Sequence, residues 1–108
     1  MTAHERYRIR ELNDHARRSF RNCRVVITPG VAELDDLPAV LRAVQRFEDF
    51  TADNDPYGEH DFGAHRVGDA EVFWTFSYYD IDQEMLSPDP SDDAVTVRVL
   101  TIMLAREY

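Results

Sequence analysis

The sequence contains no lysine; all 12 of its basic side chains are arginine. It has one cysteine, Cys23, so no intrachain disulfide can form, and a reducing compartment, the cytoplasm, is the expected home. No stretch approaches the roughly 18 apolar residues of a membrane span. The opening Met1-Thr2-Ala3-His4-Glu5-Arg6 has no apolar run behind it of the kind that a signal peptide carries. Only 4 glycines are present, and they form neither a phosphate-cradling loop nor a dinucleotide fingerprint. Neither G-x-S-x-G nor S-x-x-K occurs, which removes two common serine-nucleophile frameworks.

What remains is a chain of 108 residues, enough for one domain, 1–108, that buries roughly two thirds of its unfolded surface. Hydrophobic residues make up 44%, too many for a disordered chain. The net charge of −9 is unevenly placed. Residues 48–93 hold 14 acids against a single base, Arg66, whereas residues 1–47 hold nine arginines and six acids. A long acidic segment opposes direct contact with nucleic acid and suits a partner of opposite charge.

Thr2 and Glu5 have the spacing of a capping box, and Ile9, Leu12, Ala16 and Phe20 continue as a helical stripe flanked by Arg6, Arg10, Arg17 and Arg21. Arg24–Thr28 is a β-branched run that stops at a Pro29-Gly30 turn. Asp35 or Asp36 caps a second helix with Pro38 in its first turn and Leu37, Val40, Leu41, Val44 and Phe47 on its core face. Residues 51–59 form a loop. A hairpin follows, Asp61–Val67 and Glu71–Tyr79 around Gly68-Asp69, with Val72, Trp74, Phe76 and Tyr78 on one face. The segment Ala94–Tyr108 fits two periods; the Ser/Asp start and the Ala-Arg-Glu-Tyr end favour a helix. The expected class is α+β, order α-β-α-β-β-α: a small antiparallel sheet of about three strands covered by helices.

Three stretches carry a resemblance. They are Asp53-Asn54-Asp55-Pro56-Tyr57-Gly58-Glu59-His60-Asp61-Phe62-Gly63, then Val72-Phe73-Trp74 with Tyr78-Tyr79-Asp80, and Ser87-Pro88-Asp89-Pro90 through Val99–Ala105. Together they resemble a bacterial family catalogued as domain of unknown function 3768, from Ile9-Arg10-Glu11-Leu12-Asn13 to the end of the chain. The resemblance implies a small, stand-alone protein similar to accessory genes of plasmids and other mobile elements. It brings no reaction, cofactor or site.

The residues must therefore be weighed on their own chemistry. Asp53, Asp55 and Asp61 with Gly58 echo a calcium loop, but Tyr57 and Ala64 stand where ligands belong. Glu59, His60, Asp61 and His65 suggest a transition-metal site, with His60 and Asp61 the candidate ligands. In a strand, however, His60 faces away from Asp61, and His65 lies roughly 13 Å further along. Asp80, Asp82 and Glu84 alternate as carboxylates that can hold an ion or raise one another's pKa. Cys23 beside Arg24 lacks a local histidine and reads as a structural cysteine.

The reading these features favour is a non-enzymatic, acidic protein-binding module that needs no cofactor. Asp53, Asp55, Glu59 and Asp61, with Tyr57 as an aromatic anchor, form one part of its surface. Asp80, Asp82, Glu84 and Asp89 form the other. The partner is a protein with a basic surface, not nucleic acid or a membrane. In its sharpest form the acids mimic nucleic-acid charge and block a basic nucleic-acid-binding protein of bacterial defence. The competing reading is a small metal-dependent hydrolase built on Glu59, His60 and Asp61.

Overall fold

The computed structural model describes residues 2–108. Thr2 accepts a hydrogen bond from the Glu5 amide at 3.1 Å and starts helix α1, Ala3–Ser19. The helix stops where Phe20 turns left-handed (φ 56°) and returns its amide to Ala16 O. Strand β1 spans Arg24–Ile27. Where a turn was expected, Pro29–Ala32 winds one helical turn, α2, because Pro29 supplies the φ and lacks the amide that a first helical turn leaves unpaired. Asp36 caps α3, Leu37–Gln45, through the Ala39 amide. The hairpin comprises β2, Phe62–Val67, and β3, Ala70–Tyr79, joined at Gly68 with φ 60°.

Two expectations fail in the last third of the chain. Residues Val97–Leu104 form a strand, β4, rather than a helix. The sheet has four strands in the order β1-β4-β3-β2 and is mixed: β1 runs parallel to β4, and the other two pairs are antiparallel. Both misreadings have one cause. A strand in the middle of a sheet is covered by neighbours on both sides and carries apolar residues on both faces, so it satisfies a helical spacing as readily as an alternating one. The run Val95-Thr96-Val97 with Val99 and Thr101 is β-branched, and this composition prevails over the helix-like ends.

All helices lie on one side of the sheet. Val72, Trp74 and Phe76 of β3 stand opposite Leu104, Ile102 and Leu100 of β4, and this face packs against Ala16, Val31, Val40, Val44 and Phe47. The opposite face, with Phe73, Thr75, Ser77, Val99, Thr101 and Met103, carries no helix. Tyr108 closes part of it, its ring centroid 5.5 Å from that of Phe73. The C-terminus is stapled by Glu107, which accepts from Thr28 Oγ1 at 2.6 Å, from the Leu104 amide at 2.8 Å and from the Gly30 amide at 3.1 Å. These bonds, that from Thr28 first, hold the exposed Glu107 carboxyl below its usual range.

Trp74 is fully buried and is edged by Phe47 at 5.5 Å. Its indole lies over Gly63 of the facing strand, where an added Cβ would meet Trp74 Nε1 at 2.3 Å. Gly63→Ala is therefore expected to cost about 1–3 kcal/mol through overpacking. Gly68→Ala, with open space around it but φ 60°, costs about 1 kcal/mol from backbone strain alone. Urea unfolding of the two variants checks the order; equal midpoints for Gly63→Ala and the parent would remove the close approach.

Candidate functional site

The 51–61 loop is built from its own short polar residues. Asn54 Oδ1 accepts from the Thr51 amide at 2.9 Å, and Asn54 Nδ2 donates to Asp49 O at 3.0 Å. Asp55, nearly buried, accepts from the His60 amide at 3.1 Å. Gly58 takes φ 67° and presents its carbonyl to Arg10 Nε at 2.6 Å. His60 also adopts a left-handed backbone (φ 53°), which lays its ring flat on Phe50 at 3.6 Å. Its Nδ1 is 2.8 Å from Asp14 Oδ1, and its Nε2 is 3.5 Å from Asp55 Oδ2. A carboxylate only accepts, so a ring that donates from both nitrogens satisfies both neighbours.

Beneath the loop runs a buried polar chain. Asn13 of α1, with no exposed surface, donates to Glu59 O at 3.0 Å and to Tyr78 Oη at 2.8 Å. Its Oδ1 accepts from Arg98 Nε at 2.9 Å. Arg98 of β4 is buried and also donates to Asp93 and to the Pro90 carbonyl. Its guanidinium lies over the Tyr78 ring at 5.4 Å. Arg17, likewise buried, donates to Val44 O at 2.9 Å and Gln45 O at 3.1 Å, the open carbonyls at the end of α3, and sits over Trp74 at 5.2 Å. Burial pulls both guanidinium pKa values down, and Asp14 and Asp93 pull them back.

Among the sequence-nominated residues, Asp55, Glu59, His60 and Asp61 come together, and they come together as structure. Burial, reinforced by mutual repulsion, pushes the Glu59 and Asp61 carboxyls up; for Asp61 a backbone hydrogen bond works the other way. Tyr78, buried beside them, has its hydroxyl pKa raised. His60 and Asp61 do not converge as ligands, since both ring nitrogens of His60 face Asp14 and Asp55. Among the described residues no group of three His, Cys, Asp or Glu side chains is placed to hold a metal ion. Burial also pushes the Cys23 thiol up, with Arg98 opposing more weakly, which keeps it a thiol.

The other nominated residues lie apart from this cluster. Asp53 is exposed, and Tyr57 is exposed with Arg6 at 5.1 Å over its ring. Asp89 is turned onto Ser91, whose amide it accepts at 3.1 Å. Asp80 closes a tight loop by accepting from the Glu84 amide at 3.0 Å, and the Asp80 amide donates to Met85 O at 2.9 Å. Leu86 pairs with Tyr79, and Arg24 reaches Gln83. This ordered loop presents Ile81, Met85 and Leu86, 56%, 72% and 77% exposed, between the exposed Asp82 and Glu84.

Sequence reasoning missed Asn13, Asp14, Arg17, Phe50 and Arg98. A signal existed for two of them: Asn13 and Arg17 fall between Ile9, Ala16 and Phe20, where a helix facing a core carries apolar residues. Asn13→Ala strips a partner from Arg98, Tyr78 and the Glu59 carbonyl at once and is expected to cost about 3 kcal/mol in denaturant unfolding. The raised carboxyls give a signed pH prediction. The folded state holds protons on Glu59 and Asp61 that the unfolded chain has released, so stability falls as pH rises from the ordinary carboxyl range through the raised values. Asp61→Asn and Glu59→Gln should therefore melt higher than the parent at pH 7, and the gain should vanish below the ordinary carboxyl range. Thermal scans from pH 3 to 8 measure both.

No curated protein and no solved structure matches the chain. A family model described as "Protein of unknown function (DUF3768)" matches residues 27–107, from the third residue of β2's predecessor β1 region through the C-terminal staple, and covers most of the chain. The chain belongs to that family.

Proposed function

We propose that the chain is a non-enzymatic binding module that docks on a protein with a basic surface. The observation that carries this reading is the Asp80–Leu86 loop, in which three large apolar side chains stand in solvent between carboxylates on a backbone pinned by its own hydrogen bonds. Exposed apolar anchors with a charged surround are the composition of a docking surface, in which buried anchors supply affinity and charges supply encounter rate and register. The 14 acids of residues 48–93 supply the field. In the form that uses this field most fully, the acids stand in for nucleic-acid phosphates and the partner is a basic nucleic-acid-binding protein of bacterial defence, which the module blocks.

The hydrolase reading draws less support. It requires Glu59, His60 and Asp61 to meet at one reacting atom, whereas His60 is stacked on Phe50 and engaged by two carboxylates. Met85→Ser with Leu86→Ser removes the apolar anchors from an exposed loop and should leave stability within about 0.5 kcal/mol of the parent. Binding to a basic partner captured from nuclease-treated bacterial lysate should weaken at least tenfold in that variant, and parent binding should fall steeply between low and high salt. Undiminished binding by the double variant, or affinity indifferent to salt, would overturn the proposal.

A further inference from the structure

At the opposite end of β3 from the Asp80–Leu86 loop, the start of α3 faces the β2–β3 turn across a groove of about 650 Å³. Leu34, Val40 and Val67 line it together with Asp35, Asp36 and Asp69. A second cleft of about 470 Å³ shares Leu34 with it and adds Glu71. Asp36 spends one oxygen on the Ala39 amide; the side chains of Asp35 and Asp69 form no ion pair and accept no hydrogen bond among the described residues. Arg66 reaches this rim only through the Asp69 carbonyl, at 3.4 Å.

An apolar lining beside unpaired carboxylates matches one kind of side chain: a long aliphatic stem ending in a cation. Of the two candidates, arginine fits better, because its planar fork serves two carboxylates at once and it is less strongly hydrated than an ammonium. We propose that this groove binds an arginine side chain from a basic segment of a protein partner, with the stem against Leu34, Val40 and Val67 and the guanidinium between Asp35 and Asp69. The inference rests on a basic partner but not on the Asp80–Leu86 loop. The module then has two separate contacts, an apolar one at one end of the sheet and a cation-specific one at the other.

The test is a ¹⁵N-HSQC titration of the full chain with the blocked peptide acetyl-Leu-Arg-Leu-Arg-amide, and with its citrulline counterpart, which keeps the shape and loses the charge. The expected result is saturable shifts confined to the amides of Leu34–Ala39 and Val67–Glu71, absent with the citrulline peptide. Asp35→Asn with Asp69→Asn should weaken binding about tenfold, in keeping with loss of charge-assisted bonds, while Asp82→Asn with Glu84→Gln should leave it unchanged. Shifts spread over every acidic surface, or equal affinity in the Asp35/Asp69 variant, would overturn the groove. Shifts confined to the Asp80–Leu86 loop would also overturn it while leaving the proposed docking function standing. Saturation of the groove alongside undiminished partner capture by the Met85/Leu86 double variant would do the reverse.

Discussion

A guanidinium taken out of water is tolerated only when its donors are met, and Arg98 meets that condition with atoms drawn from three separate parts of the chain. Asn13 comes from α1, and Asp93 and the Pro90 carbonyl come from the segment leading into β4. The first of these partners also carries Tyr78 and the Glu59 carbonyl, so the helix, the central strand, the hairpin and the 51–61 loop are tied at one buried residue. Shifting any one of them leaves a buried charge or a buried amide without a partner. Arg17 repeats the device one helical turn on, where it closes the end of α3.

This tie changes how the polar string from Asp53 to Gly63 is understood. Asp55 holds the His60 amide, Gly58 admits Arg10, Glu59 lends its carbonyl to Asn13, His60 bridges two carboxylates, Asp61 lends its carbonyl to the Phe76 amide, and Gly63 makes room for Trp74. Each residue has an architectural task, so none is left over for chemistry. The side chains with no such task are the apolar and acidic ones at the two ends of the sheet, and the proposed contacts are placed there for that reason.

Much of the fold was legible because local signals agreed with tertiary ones. The Thr2 cap, the Asp36-Leu37-Pro38 start and the Gly68 turn all sit where their residues called for them. The helix expected over 94–108 failed because β4, central in the sheet, is apolar on both faces, and its pairing with β1 links segments more than seventy residues apart, beyond the reach of any local pattern. The acidic cluster was legible as composition but not as placement: an acid at Asp55 that turns inward and one at Asp82 that stays in solvent look alike in a sequence. The buried arginines were legible only as charges. Arg98 lies in an apolar run, Val97 to Val99, and that position alone marked it as a side chain needing a buried partner.

The most direct measurement is a double-mutant cycle on Asn13 and Arg98, with Asn13→Ala, Arg98→Met and the pair unfolded in denaturant. If these two residues tie α1 to the central strand, the losses are strongly non-additive, with a coupling of about 1–3 kcal/mol. Losses that add to within about 0.3 kcal/mol would show that the two residues act independently and that the fold is held elsewhere.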